Sequence, residues 1–192
     1  MAPGTKWTLF LLAGAGVIAL AYWKRAEIVE TAGPLGEIVV TGIRRVVSRV
    51  ISTATRGFRN NNPLNIRKGQ NWQGEASVSN DTAFETYAAP EYGFRAATKI
   101  FDSYGRLYGA TTIAAIVSRW APTHENPTEQ YIRYVEEKMS LSRNEFLVLS
   151  AESTTVALLD AMTRFENNGL NPYDYAVMAA GVRMARGQEA YA

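Results

Sequence analysis

The stretch LLDAMTRFENNGLNPY, residues 158–173, joins an apolar helical pattern to a polar turn. The pattern predicts a helix from about Thr154, because apolar side chains recur at the spacing of one helix face. Glu166 continues that face in the last turn, just before the glycine-bearing break at 167–169. We therefore expect the Glu166 carboxyl to lie against apolar surface with its tip facing a polar opening. The residues that define the face are Val156, Leu159, Met162 and Thr163.

This position of Glu166 has a chemical consequence. Partial burial disfavours the ionised form and raises the pKa of a glutamate. The carboxyl-terminal end of a helix dipole acts in the same direction. A raised pKa suits a general acid that works near neutral pH. The alternative is an ordinary exposed glutamate at a helix end.

Composition limits the chemistry available to the chain. Its 192 residues, 47% of them hydrophobic, fit one domain with an appendage. The absence of cysteine excludes disulfides and thiolate zinc sites, and a single histidine, His124, cannot form a histidine metal cluster. We expect His124 to be a surface turn residue, and we predict no metal and no cofactor.

Charge divides the chain into two parts. Residues 1–59 hold eight Lys and Arg against three Asp and Glu, whereas residues 60–192 hold twelve against fifteen. The basic amino-terminal part is therefore distinct from the globular part.

Residues 1–25 are predicted to form a transmembrane anchor. The uncharged run WTLFLLAGAGVIALAYW at 7–23 would reach ~26 Å as a helix, slightly less than the ~30 Å hydrocarbon core of a bilayer. Aromatic residues at both ends of the run would lie at the membrane interfaces. The alternative is a cleaved secretory signal that ends at the ALA of residues 19–21.

Residues 26–57 are predicted to form a linker and a basic amphipathic helix. The segment IVVTGIRRVVSRVISTAT at 38–55 places its apolar residues on one face and its arginines around the rest. Such a helix either packs on the following domain or lies on an anionic membrane surface. No stacking aromatic residues are interleaved with the arginines, so we expect no nucleic-acid partner.

Residues 58–192 are predicted to form one mainly α domain with a small strand and loop region. NNNPLNIRKGQNWQGE, residues 60–75, is too rich in Asn, Gly and Pro for a helix, and TAFETY at 82–87 alternates as a short strand does. Helix starts are predicted at Pro90 and within TTIAAIVSRW at 111–120. Three further starts are predicted at NPTE 126–129, with Asn126 as N-cap, at SRNE 142–145 and at NPYD 171–174.

Two segments resemble peptidoglycan enzymes. AMTRFENNGLNPY, residues 161–173, resembles the signature of lysozyme-like enzymes, which include lytic transglycosylases and goose-type lysozymes. RNNNPLNIRKG at 59–69 and AFETYAAPEYGFRAATKIFDSY at 83–104 resemble bacterial cell-wall glucosaminidases of the same superfamily. In those enzymes the catalytic glutamate precedes the second pattern, whereas here it follows. The resemblance thus implies a circularly permuted α+β lysozyme-like domain, in which Glu166 returns beside residues 60–69.

A further resemblance covers roughly residues 56–186. RG-x-RNNNP-x-NIR from Arg56, WQG at 72–74, WAP followed by EN-x-T-x-x-Y from Trp120, and EN-x-G followed by PY from Glu166 resemble a set of phage-encoded virion proteins. It implies an enzyme that opens the host envelope, fixed to the internal membrane of a virion or to the host inner membrane. Other virion proteins are candidate partners.

The resemblance implies cleavage of the β-1,4 bond between N-acetylmuramic acid and N-acetylglucosamine, with Glu166 as general acid. A lytic transglycosylase needs that carboxyl alone, whereas a hydrolase commonly uses a second one. Candidates for a second carboxylate are Asp81, Glu85 and Glu125. Each has a structural alternative: Asp81 as a turn cap, Glu85 as a solvent-facing residue and Glu125 as the residue before a helix.

A glycan cleft offers amide hydrogen bonds and flat apolar faces. The candidate glycan-binding residues are Asn61, Asn62, Asn65, Trp72 and Tyr173. Trp120, which ends an apolar stripe, is instead expected in the core.

Two other functions stay open. The first is a non-enzymatic virion component that binds peptidoglycan or packs in a shell. The second is a membrane-remodelling protein in which residues 1–57 act.

Overall fold

A computed structural model describes residues 55–124 and 126–188, all within one compact unit. The predicted anchor, nearly all of the predicted amphipathic helix and Glu125 lie outside these residues. In the part of the chain that is described, no helix is long and apolar enough to cross a membrane. Six helices are formed there: α1 (Arg56–Arg59), α2 (Pro90–Tyr108), α3 (Ile113–Trp120), α4 (Thr128–Met139), α5 (Glu152–Glu166) and α6 (Tyr175–Arg186).

The predicted mainly α class is confirmed, and its two longest helices end where local chemistry dictates. Pro90 opens α2, and Gly109 closes it in the left-handed conformation, with φ 63°. Helix α5 ends at Glu166, and the Gly169 amide donates to the Arg164 carbonyl over 2.7 Å. The carboxyl of Glu166 therefore lies at the last helical position, as predicted.

Two predicted features around α4 and α5 are wrong. SRNE does not start a helix: the Glu145 amide donates to the Ser142 carbonyl in a turn, and α5 begins ten residues after Ser142 at Glu152. Asn126 is not the cap of α4, because Pro127 occupies that position and the Asn126 amide donates to the Pro122 carbonyl. At SRNE the residue types of a helix start form a turn, and no helix grows from that turn.

The strand predicted at 82–87 is reduced to isolated pairing. Within the described residues the segment makes two antiparallel bridges, Arg67 with Phe84 and Glu75 with Tyr87. The antiparallel pairing stays short because the Asn62 side chain occupies backbone groups that further pairing would need. The Asn62 side-chain amide donates to the carbonyls of Ile66 and Glu85, at 2.9 and 3.0 Å, and its oxygen accepts from the Ile66 amide.

Asn62→Ala is expected to lower the free energy of unfolding by about 3 kcal/mol. The Asn62 side chain is fully buried, and its removal leaves the Glu85 carbonyl without this donor and the Ile66 amide without its acceptor. Chemical denaturation followed by circular dichroism measures this. Asn71→Ala, an exposed asparagine in the same loop region, serves as control and should change stability by less than about 0.5 kcal/mol. Equal effects of the two substitutions would contradict the assigned role of Asn62.

The core lies between α2, α5 and α6. Helix α5 packs against both α4 and α6, and α2 packs closely along α6. Gly181 of α6 permits this approach, since a Cβ atom there would meet the Phe94 Cβ at 2.5 Å. The largest fully buried side chains include Phe94, Phe101, Tyr131, Leu158, Leu159 and Met162.

Candidate active site

Glu166 is held by side chains from three other parts of the chain. The Asn65 amide donates to one carboxyl oxygen over 3.0 Å, and the Tyr131 hydroxyl donates to the other over 3.1 Å. The Trp120 side chain, at the end of α3, lies near the carboxyl and also favours its ionised form. Both oxygens are thus oriented by fixed neutral donors.

Burial dominates the electrostatics of this carboxyl. Desolvation raises the pKa of Glu166, and the side chains of Asn65, Tyr131 and Trp120 oppose that shift without cancelling it. Among the described residues no Lys or Arg forms an ion pair with Glu166. A carboxyl with a raised pKa and neutral donors can hold a proton closer to neutral pH than an exposed glutamate can.

The two principal donors are themselves immobilised. Tyr131 is buried, and its ring stacks on Phe165 with centroids 3.8 Å apart and planes 18° from parallel. Asn65 adopts a left-handed conformation, φ 51°, and its backbone amide donates to the Asn62 backbone carbonyl over 3.0 Å. Asn is among the residues that tolerate this conformation best. The donors are therefore in place before any ligand binds.

Asn167 joins the end of α5 to the loop at 60–69. It is fully buried, and its amide donates to the carbonyls of Pro63 and Thr163 over 2.7 and 2.8 Å. Its side-chain oxygen accepts a hydrogen bond from the Thr55 hydroxyl. The structure thus brings the glutamate helix and the 60–69 loop together, which is the juxtaposition that the sequence predicted.

Of the candidate second carboxylates, Asp81 is engaged elsewhere. Its desolvation is outweighed by hydrogen bonds from Asn60, the Ala83 amide and Arg56, which hold its pKa well below the ordinary value. The Arg56 guanidinium is 2.7 Å from its carboxylate. These contacts match the turn-cap alternative. Glu125 lies outside the described residues.

Glu85 does not face solvent, so the alternative that treated it as a solvent-facing residue is wrong. It is buried, and desolvation followed by repulsion from Glu75 raises its pKa. The Gly69 amide donates to it and Lys68 lies nearby, both of which lower the pKa again. No hydrogen bond between described residues joins Glu85 or Asp81 to Glu166.

Most of the candidate glycan-binding residues hold the backbone or pack in the interior. Asn62 is fully buried, and the Asn61 amide donates to the Tyr87 carbonyl over 3.0 Å. Tyr173 packs edge-on between Phe58 and Phe94. Trp72 packs half-buried against the core. Of the five candidates, Asn65 is the one whose side chain touches Glu166.

Sequence reasoning missed two partners of the carboxyl. Tyr131 falls within the helix predicted to start at 126–129 and has no predicted role at the site, and Trp120 is predicted to lie in the core. Trp120 does pack edge-on against Phe101, at 5.5 Å, but its side chain also reaches Glu166. The Trp-Ala-Pro and Tyr motifs were visible in the sequence, although nothing local ties them to a glutamate at the other end of the chain.

Comparison with known proteins places the chain in a phage family. It is 42% identical over 135 residues, 68% of this chain and 82% of the other, to Protein P5 of Pseudoalteromonas phage PM2. The chain belongs to the family of Protein P5. No profile of a known protein family matches it. Membership of the P5 family confirms that the chain is related to a bacteriophage protein.

In this member of the P5 family, Tyr131→Phe is expected to raise the pKa of Glu166 further. The substitution removes a hydrogen bond that favours the ionised carboxylate but keeps the ring that stacks on Phe165. Carbon-detected NMR titration of the glutamate carboxyls measures the shift, with Glu166→Gln assigning the resonance. A Glu166 pKa that stays the same or falls would show that Tyr131 does not stabilise the charged form.

Proposed function

We propose that the chain is a phage peptidoglycan lytic transglycosylase with a circularly permuted lysozyme-like fold and Glu166 as its acid and base. One observation carries the proposal: a desolvated carboxyl at a helix end whose oxygens are each held by a neutral donor. A buried glutamate in such surroundings is a recurrent arrangement for general acid catalysis. The resemblance of residues 161–173 to lysozyme-like enzymes supplies the substrate class.

The first step is breakage of the bond between the anomeric carbon of N-acetylmuramic acid and the bridging oxygen. Protonated Glu166 donates its proton to that oxygen, which leaves as the hydroxyl of N-acetylglucosamine. The carboxylate that results accepts hydrogen bonds from Asn65 and Tyr131, and the nearby Trp120 side chain also favours the ionised form. These donors stabilise the charge that the step creates.

The second step closes an anhydro ring on the muramic acid. Glu166, now ionised, removes the proton from the sugar's own primary hydroxyl, whose oxygen bonds to the anomeric carbon. The proton returns to Glu166, so the enzyme is regenerated without a second carboxyl. This route is favoured over hydrolysis because Asp81, a candidate second carboxylate, is occupied by Arg56 and Asn60.

The amino-terminal pattern and the phage family support a proposed membrane location. The proposed substrate is the peptidoglycan glycan strand, and the second partner is a bilayer, through residues 1–25. The enzyme would reside in the virion at its internal membrane, or at the host inner membrane, and open the wall locally during genome delivery. Residues 26–57 would link the anchor to the catalytic domain.

Glu85→Gln is expected to retain more than about one third of the wild-type rate of muropeptide release. A single-carboxyl mechanism does not use Glu85, and amide replacement removes a buried carboxyl whose ionised form is disfavoured. The assay uses the full-length protein in detergent with purified peptidoglycan. A loss of 100-fold or more, at unchanged stability, would instead assign Glu85 a part in the chemistry and favour a hydrolase.

A further inference from the structure

A row of aromatic side chains runs outward from the Glu166 carboxyl. Tyr131, which donates to Glu166, is covered on one side by the Phe165 ring at 3.8 Å. Phe165 in turn meets the edge of Tyr134 at 5.6 Å. Tyr131 is buried, whereas Phe165 and Tyr134 are half-buried and keep part of their surface in solvent.

The row ends in a positive charge. The Lys138 ammonium lies 5.3 Å from the centroid of the Tyr134 ring. Residues 131, 134 and 138 are spaced by three and four along α4, so they lie on one face of that helix. Lys138 is exposed, and its one ion pair with a described residue is a 3.6 Å contact with the exposed Glu137. Such an exposed pair is weak and leaves the ammonium available.

This arrangement has the features of a carbohydrate subsite. Rings that are held by their neighbours present flat apolar faces with little entropy left to lose on binding. The apolar face of a pyranose ring packs against such a surface, and an ammonium at its edge attracts a carboxylate. Peptidoglycan combines these chemistries, because its sugars carry peptide stems that end in carboxylates.

We propose that Phe165, Tyr134 and Lys138 form a glycan-binding subsite next to Glu166, which takes a sugar ring on the aromatic faces and a stem carboxylate on Lys138. This inference rests on the proposed function for its substrate class. It goes further in naming the surface along which the polymer lies. The subsite would make the enzyme prefer long, peptide-bearing strands over short fragments.

The test measures binding separately from cleavage. Full-length protein carrying Glu166→Gln, in detergent, is sedimented with insoluble purified peptidoglycan, alone and with Tyr134→Leu, Tyr134→Phe or Lys138→Ala added. Tyr175→Leu is the matched control: Tyr175 is an exposed tyrosine whose hydroxyl contacts Glu152, at the end of α5 opposite to Glu166. Thermal unfolding of every variant verifies the fold.

Tyr134→Leu is expected to weaken binding about fivefold, while Tyr134→Phe and Tyr175→Leu leave it unchanged. Lys138→Ala should weaken binding to intact peptidoglycan but not to strands from which an amidase has removed the stems. In the active protein Tyr134→Leu should raise KM for long strands with kcat unchanged. Equal binding by Tyr134→Leu and Tyr175→Leu would overturn the subsite, even if cleavage occurs. If Tyr134→Leu binds more weakly than Tyr175→Leu but the active protein cleaves nothing, the proposed chemistry is refuted and the subsite stands.

Discussion

Glu166→Gln is expected to reduce peptidoglycan cleavage by about 10³-fold or more. Glutamine keeps the shape of the side chain, with an oxygen that accepts from the Asn65 side-chain amide and an NH2 group that donates to the Tyr131 oxygen, but it has no acidic proton to donate. In the proposed single-carboxyl mechanism no other group supplies that proton. The rate of soluble muropeptide release by full-length protein in detergent measures the loss.

The fold of the Glu166→Gln variant should be at least as stable as that of the wild type at neutral pH. A carboxyl whose pKa is higher in the folded than in the unfolded state binds more protons when folded, so its contribution to stability is present below the unfolded pKa of about 4.5. That contribution is lost as the pH rises through the raised folded pKa. Glutamine does not ionise, so the variant does not lose stability in this way as the pH rises. Urea unfolding of both proteins at acidic and at neutral pH measures the difference in stability. A strongly destabilised variant would mean that lost activity reports lost structure.

Gly181→Ala is expected to lower the free energy of unfolding by about 3 kcal/mol. A Cβ atom at Gly181 would lie 2.5 Å from the Phe94 Cβ, 2.8 Å from the Glu91 carbonyl oxygen and 3.0 Å from the Arg95 amide nitrogen. Two of these atoms belong to the backbone of α2, so no side-chain rotation relieves the contact. The helices α2 and α6 must separate, which opens the core around Phe94.

Gly105→Ala provides the matched control, since Gly105 of α2 is, like Gly181 of α6, a glycine inside a helix. A Cβ atom there would meet the Leu149 Cδ1 at 3.8 Å, an ordinary van der Waals distance. Alanine is favoured over glycine in a helix by about 1 kcal/mol, so this variant should be equally or more stable than the wild type. Denaturant unfolding of both variants measures the difference. Similar stabilities for the two would show that α2 and α6 do not pack as closely as described.

The glutamate at the end of α5 was predictable because the information is local. An apolar period of three and four residues, followed by Asn167, Asn168 and Gly169, fixes both the helix face and its end. The burial of the carboxyl and the direction of its pKa shift follow from that face. Helices α2 and α3 were predictable for the same reason.

The partners of the carboxyl were not predictable from local pattern. Tyr131 is 35 residues and Asn65 is 101 residues away from Glu166 along the chain. Their convergence depends on the packing of α4 against α5 and on Asn167, whose amide ties α5 to Pro63. The proximity of the 60–69 loop was predicted from the resemblance of two segments to lysozyme-like enzymes and from the circular permutation inferred from their order, and composition and periodicity do not contain it.

The failed predictions also have physical causes. SRNE has the residue types of a helix start, but the Leu147 amide donates to the Thr111 carbonyl and the Ala114 amide to the Arg143 carbonyl, so the segment runs beside α3. The alternating TAFETY pattern predicts a strand, but the buried Asn62 side chain takes the Glu85 carbonyl that a longer ladder would use. Tertiary hydrogen bonds replaced local propensity in both places.

The central claim, that Glu166 alone serves as acid and base in glycan cleavage, is tested most directly by the identity of the products. Full-length protein in detergent, and its Glu166→Gln variant, are incubated with purified peptidoglycan, and the soluble products are identified by mass spectrometry. The wild type is expected to release anhydromuramyl fragments and the variant none. Reducing-end sugars, or the same products from both proteins, would show that Glu166 is not the single acid and base.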